Sequence, residues 1–319
     1  MGRTCGGEDC KTNDTIVSML KLIKLLKDPY YTIGRFMTKY CPWCMSDKFF
    51  LKVRWLKVVG YKLDLRHPKT FNEKLQWLKL YDRKPVYTTM VDKYLVKQWV
   101  ADKVGNQYIN PTLAVYKSVE EIDLNKLPDQ FVLKCNHDSG SIVFCYDKQS
   151  FDFADAKRKL NQSLHNNFYS GVREWPYKNV KPLIIAEQLL IDSESDDIID
   201  YKMMVFNGKV KCCVVCTNRR GVGGVHVTFY DTDWKKMPVV LKNHPSDSEV
   251  INKPGSFDKM VEIAEILSEN IPFLRVDFYE INDKPYFGEI TFYPFAGFGL
   301  FNPAEWDLIF GNMIELPKL

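Results

Sequence analysis

Residues 275–294 read RVDFYEINDKPYFGEITFYP, two short runs of branched and aromatic residues separated by a polar turn. Runs of this kind, bounded by turn formers, are β-strands joined as a hairpin. Successive side chains on a strand point to opposite faces, so Arg275 shares a face with Asp277, and Glu289 shares one with Thr291. A three-residue connection, Asn282 to Lys284, sets Asp277 directly opposite Glu289. Two carboxylates at cross-strand distance repel unless a cation stands between them, and hard oxygen ligands on rigid strands suit magnesium together with phosphate groups. On that reading, an amide in place of either carboxylate relieves repulsion and stabilises the ligand-free protein. The plainer alternative is an exposed hairpin whose Asp277 pairs with Arg275 or a lysine.

Further runs of strand texture lie upstream: FVLKC (131–135), PLIIAEQLL (182–190), YKMMVF (201–206) and KVKCCVVC (209–216). Asn207-Gly208, between the last two, predicts a tight hairpin because both residues tolerate positive φ. Helical periodicity marks residues 90–105, with Gly105 as the stop, and also residues 153–169 and 257–271. Thr70 followed by Glu73 has the form of a capping box that opens a helix through Tyr81. Helices interleaved with strands make this an α/β or α+β chain, preceded by a helical N-terminal region.

A chain of 319 residues with 45% hydrophobic and 14% aromatic content can bury a substantial core, which excludes a disordered protein. The net charge of +4 gives no ground for a nucleic-acid partner. Basic residues are concentrated between Lys11 and Lys62, either as a solvated helical face or as a peripheral contact with an anionic membrane. The apolar run TIVSMLKLIKLLK (15–27) is broken by lysines and too short to span a bilayer. The first residues, MGRTCGGEDCKTND, lack the apolar stretch of a signal peptide, so a cytoplasmic setting is expected. The nine cysteines then read as free thiols, with a weak option that Cys41 and Cys44 join Cys5 and Cys10 around a metal.

Other residues extend the acidic hairpin into an ordered series. Asp92-Lys93 lies in a helical run, Lys134 ends an apolar strand before the small polar loop Asn136–Ser141, and Glu187 sits within AEQLL. Asp200 and Lys202 open the next strand, and Arg219 and Arg220 close the one after it. A lysine at the end of a buried strand needs an anion, and a loop holding Ser139, Gly140 and Ser141 lets backbone N–H groups approach phosphate.

In this order the parts resemble the TupA-like ATP-grasp family, associated with teichuronopeptide and other surface-polysaccharide synthesis, from about Phe71 to the C-terminus. The resemblance implies an ATP-grasp fold: a helical region over residues 1–85, a first lobe over 86–190 and a second over 191–319, the two lobes clamping ATP. It assigns ATP and Mg²⁺ as cofactors. Lys93, Lys134, Ser139, Gly140 and Ser141 would hold the nucleotide phosphates. Glu187 would accept from the adenine amino group, the backbone of Gln188, Leu189 and Leu190 would complete that contact, and Asp200 would touch ribose or orient Lys202. Lys134 and Glu187 are then expected at opposite ends of the nucleotide site. Asp277, Glu289 and, more weakly, Thr291 would be metal ligands. Arg275, Lys202 and one of Arg219 and Arg220 would neutralise the reacting phosphoryl group.

The implied reaction is ADP-forming ligation of a carboxylate, such as a uronic acid of a glycan, to an amine such as an amino acid, through an acylphosphate. The aromatic tail TFYPFAGFGLFNPAEWD (291–307) would line the acceptor site or join the core. Rival readings are a kinase of the same fold acting on a sugar hydroxyl, and a glycosyltransferase using Asp231-Thr232-Asp233 as a metal-binding DxD.

Overall fold

The computed structural model describes residues 37, 41, 44–191, 198–218, 221 and 223–318. The chain forms two compact units, Met1–Leu63 and Asp64–Leu319. In the first, helix α1 (Asp47–Val58) starts at Ser46, whose hydroxyl accepts the Phe49 N–H. The run 15–27, Cys5 and Cys10 lie outside the described residues.

The second unit opens with helix α2 (Phe71–Tyr81), and its capping box is complete: the Thr70 hydroxyl accepts the Glu73 N–H at 3.2 Å, and the Glu73 carboxylate accepts the Thr70 N–H at 3.1 Å. This helix lies within the unit Asp64–Leu319. The single helix expected over 90–105 is two, α3 (Val86–Val91) and α4 (Leu95–Val104). Asp92 makes the break, because its carboxylate accepts the N–H groups of Tyr94 (2.9 Å) and Leu95 (3.2 Å) in competition with helical bonding. Lys93 is thereby released from helical pairing, and its N–H bonds Asn136 O at 3.0 Å.

Next come β1 (Thr112–Tyr116), β2 (Phe131–Cys135), β3 (Val143–Cys145), α5 (Phe153–Leu164), α6 (Phe168–Val172) and β4 (Ile184–Gln188). The four strands form an antiparallel sheet in the order β1-β4-β2-β3. Its core is Phe131, Leu133, Ile184 and Ala186 under Leu160 of α5.

The remaining elements are β5 (Asp200–Phe206), β6 (Lys209–Thr217), β7 (His226–Asp231), β8 (Val240–Leu241), α7 (Phe257–Leu267), β9 (Phe273–Ile281), β10 (Lys284–Thr291), β11 (Phe301–Asn302) and α8 (Glu305–Asn312). Five of these strands make a second antiparallel sheet, β10-β9-β5-β6-β7, and β11 pairs with β8. Asn207 and Gly208 turn β5 into β6 with φ of 49° and 78°, as their sequence demands. At the far edge, Gly311 lets α8 approach the start of α2, since a Cβ there would lie 2.2 Å from the Lys69 carbonyl oxygen.

The β9–β10 connection differs from expectation in an instructive way. It has two residues, Asn282 and Asp283, at φ 51° and 60°, and Ile281 pairs with Lys284. That turn alone would misalign the carboxylates by one residue. A bulge at Gly288 restores the offset, so Asp277 does face Glu289. A Cβ at Gly288 would come within 3.1 Å of the Asp277 carbonyl oxygen.

Asp231-Thr232-Asp233 is a turn: the Asp231 carboxylate accepts the N–H groups of Asp233 (3.0 Å) and Lys235 (2.8 Å). One oxygen of its carboxylate thus shapes the turn, as it would in an ordinary Asx turn.

Candidate active site

Pairing across β5, β9 and β10 lines up Lys202, Asp277 and Glu289 in one row, with Arg275 opposite Thr291 beside it. Asp277 is 1% exposed. Arg275 grips it with two bonds, Nε to Oδ1 and Nη2 to Oδ2, both 2.7 Å, and Lys202 Nζ donates to Oδ2 at 2.6 Å. The cations beside Asp277 are therefore the protein's own, and the expectation that an amide would stabilise the ligand-free chain is overturned. Burial pushes the Asp277 carboxyl up, but Arg275 and Lys202 outweigh it and hold the group below the usual carboxylate range. Burial likewise works against the Lys202 ammonium, and Asp277 more than offsets that loss. Asp200 holds Lys202 from the other side at 2.9 Å.

Glu289 is the accessible member of the row, with its side chain 39% exposed, and it lies 3.5 Å from Arg275 Nη2 and 3.8 Å from Lys93 Nζ. Thr291 Oγ1 accepts from Arg275 Nη2 at 3.1 Å. Asp277, Glu289 and Thr291 thus offer an all-oxygen donor set on one sheet face, which fits magnesium in kind.

In the four-stranded sheet, Glu187 stands between two lysines: Lys97 Nζ is 2.6 Å from Oε1 and Lys134 Nζ is 2.7 Å from Oε2. Lys134 and Glu187 are in contact and not at opposite ends of the site. The two ammonium groups hold the buried Glu187 carboxyl low even though burial pushes it up. Burial prevails for Lys97, whose ammonium is pushed below its usual value although Glu187 opposes this. Lys97 also donates to Asn110 O (2.7 Å) and Thr112 Oγ1 (2.8 Å).

Lys134, Glu187, Gln188, Leu189 and Leu190 all line one cavity of about 380 Å³. The Gln188 backbone is already satisfied, its N–H by Pro111 O (3.2 Å) and its carbonyl by Asn110 Nδ2 (2.9 Å). Asn110 also lines the cavity, and its buried Oδ1 has no hydrogen-bond partner. Lys134 at the cavity wall, beside an unsatisfied acceptor, fits a ligand with a phosphate end and an N–H edge.

The loop after β2 is tied down at its base and open at its tip. Asp138 accepts from the hydroxyls of Ser141 (2.5 Å) and Ser163, and Ser141 Oγ accepts the Cys135 N–H at 3.1 Å. Ser139 and Gly140 are exposed; Gly140 has φ 100°, with nothing within 4 Å of where a Cβ would sit. Lys93 Nζ donates to Asp138 O, so this lysine links the loop to Glu289 on the other sheet. His137, which a surface reading would expose, is 4% exposed.

The tail after β10 folds over the five-stranded face. Phe295 and Ala296 adopt φ of 52° and 53°, and Gly297 continues at 66°. Left-handed residues with side chains cost about 1–2 kcal/mol each. Asn72, Gln76 and Lys79, on one face of α2, hold the turn by donating to the carbonyls of Gly299 (2.7 Å), Gly297 (2.7 Å) and Ala296 (2.8 Å). All three are buried, Gln76 and Lys79 completely.

Arg219 and Arg220 lie outside the described residues. Cys41 and Cys44 are free thiols, and among the described residues no three His, Cys, Asp or Glu side chains cluster to hold a metal. Nor is any described helix long and apolar enough to cross a membrane.

A family model described as TupA-like ATPgrasp matches residues 73–315. The chain belongs to the TupA-like ATP-grasp family. Its two antiparallel sheets with flanking helices are an α+β, ATP-grasp fold. Solved structures of similar fold include the D-alanine–D-alanine ligase of Bacillus anthracis complexed with ATP, at 15% identity and a TM-score of 0.35, covering 74% of this chain and 59% of that one. The corresponding ligase of Helicobacter pylori is 12% identical with a TM-score of 0.43, covering 77% and 69%. The ATP-grasp ligase PsnB, solved with minimal precursor, Mg and ADP, is 10% identical with a TM-score of 0.37, covering 81% and 64%. This chain thus spans less than two thirds of the B. anthracis enzyme. No curated protein sequence matches it.

Proposed function

We propose that this TupA-like ATP-grasp chain is an ADP-forming carboxylate–amine ligase that joins an amino acid or similar amine to a uronic-acid carboxyl of a surface polysaccharide or its precursor. The observation that carries the reading is the grouping of Arg275 and Lys202 around Asp277, with Lys93 reaching in to Glu289. Carboxylate oxygen is a poor leaving group. When bound, Mg·ATP supplies a γ-phosphoryl group to that oxygen, leaving ADP and an acylphosphate, and an amine then displaces the phosphate, giving amide, inorganic phosphate and a proton. Asp277, Glu289 and Thr291 would hold the magnesium. Lys134 would face the nucleotide's negative charge, with Glu187 held between it and Lys97. Arg275 and Lys202 would then meet charge developing on the transferred group, already oriented by Asp277 and needing no rearrangement.

The test is to incubate the full chain with Mg·ATP, uronic acids and amino acids, following ADP, AMP and product mass. ADP formation that requires both substrates, with an amide product, is expected. AMP and pyrophosphate would end the reading, and a phosphorylated sugar formed without amine and stable to hydroxylamine would replace the ligase with a kinase.

A further inference from the structure

Across Arg275 and Lys202, on the same face of the five-stranded sheet, lies a second cavity of about 190 Å³. Met204, Val214, Val227 and Phe229 form its sheet side, and Phe295 of the left-handed turn stands over it. Val225 borders both this cavity and the larger one that holds Lys134 and Glu187, so the two are neighbours. Resting on the ligase reading above, we infer that this cavity is the side-chain pocket for the amine substrate, and that this substrate is an α-amino acid with an apolar side chain of leucine to phenylalanine size.

Three features carry the inference. The first is volume: an apolar cavity of about 150 Å³ admits benzene, so one somewhat larger admits a branched aliphatic or phenyl group and excludes a glycan chain. The second is wall chemistry. Asn72, His244, Lys202 and Arg275 supply the polar part of the lining, and the rest, with Met204, Val214, Val227 and Phe229, is mostly hydrocarbon, so a sugar ring would leave most of its hydroxyls without partners, which is unfavourable, whereas an apolar side chain matches that wall. The third is construction. The turn that carries Phe295 is fixed by three buried donors of α2, so the space is kept open by a specific arrangement and does not collapse as a packing defect would. An amino acid seated there has its polar end beside Lys202 and Arg275, where its α-nitrogen can attack the acylphosphate carbon, forming the C–N bond as the C–O bond to phosphate breaks and the nitrogen's proton passes to solvent.

Calorimetric titration of the full chain with Mg·ADP present tests the pocket without relying on turnover. Leucine and phenylalanine should bind, and Val214→Phe, which fills the space, should weaken both at least tenfold while leaving ADP affinity unchanged. Val227→Ala, a gentler change that enlarges it, should shift preference toward phenylalanine. In the ligation assay with glucuronate, the same amino acids should raise ADP release at least tenfold over glutamate or lysine. Absence of binding by either apolar amino acid, or binding that Val214→Phe and Val227→Ala both leave unaltered, would overturn the inference. If glutamate or lysine proved the better amine, the pocket would lose its assignment and the ligase would stand. Failure of every amine to promote ADP formation, with leucine still bound in the cavity, would instead remove the ligase reading.

Discussion

The two sheets solve opposite electrostatic problems. In the four-stranded sheet, Lys97 and Lys134 close on the single carboxylate of Glu187. In the five-stranded sheet, Lys93, Lys202 and Arg275 face Asp200, Asp277 and Glu289, three cations against three anions. The first group keeps an unneutralised positive charge at the wall of a cavity, which favours an anion such as a phosphate chain. The second is balanced and stiff, so it gains nothing from a lone anion and suits a cation that arrives with its own counter-charge. Removing an anion should therefore be far more costly in the second than removing a cation in the first.

Asp277→Asn is the sharpest way to break that contrast. The amide keeps the shape but leaves Arg275 and Lys202 buried without their shared carboxylate, and losing one partner of a buried ionic group costs about 3–5 kcal/mol. Urea unfolding should register a loss of that size, and ATP-dependent turnover of the surviving fold should fall by at least about a hundredfold, equivalent to about 2.7 kcal/mol. A variant as stable as the native chain would mean that the three charges do not act as a unit.

Lys134→Met should act on binding and spare the fold, because Lys97 remains on Glu187. ATP affinity measured by calorimetry should drop about ten- to a hundredfold, or about 1.4–2.7 kcal/mol. Unchanged affinity would detach Lys134 from the nucleotide site.

Acid should also distinguish the sheets. The folded-state pKa of Glu187 lies below its usual 4.5, so the unfolded chain takes up the proton first as pH falls. The stability this carboxylate contributes is present above that value and is lost as pH drops through the lower, folded-state one. Glu187→Gln should lower stability at pH 7 and flatten the acid limb below pH 4.5 in a melt series. An acid limb that stays unchanged would place the titrating groups elsewhere, with Asp277 the next to examine, since its folded-state value is also depressed.

Much of this was readable in the sequence where the signal is local. The capping box at Thr70, the Asn207-Gly208 turn and the runs that became β2, β4, β5, β6, β9 and β10 all rest on short-range chemistry. Long-range pairing was not readable. Lys202 reaches Asp277 because β5 lies beside β9, an adjacency between segments 75 residues apart that no periodicity announces. The facing of Asp277 and Glu289 followed from a three-residue turn, whereas the chain uses a two-residue turn plus a bulge, and both give the same offset. Lys97, four residues after Lys93 in VDKYLVK, was passed over because the pattern reads as one helix; the break at Asp92 sends the two lysines to different partners. β1 and β3 carry little strand signal, because TLAVY is half-buried and VFC is three residues long.

The smallest expected effect belongs to Thr291→Val, and it refines the five-stranded side of the comparison. Thr291 Oγ1 accepts one hydrogen bond from Arg275, while the same guanidinium keeps two bonds to Asp277. Valine preserves the branched shape that suits a strand and removes the acceptor. Arg275 stays oriented, so the loss should be about 1.5 kcal/mol, the lower end for a bond involving a charged group, and should lower the melting temperature by about 2 °C. If the hydroxyl also contributes to magnesium binding, a titration of turnover with Mg²⁺ should show a raised requirement in the variant, with the maximal rate within about threefold of native at saturation. A loss as deep as that of Asp277→Asn, persisting at saturating Mg²⁺, would show that the hydroxyl, and not only the carboxylate, fixes the guanidinium. The charge balance would then be an incomplete account of what holds this face together.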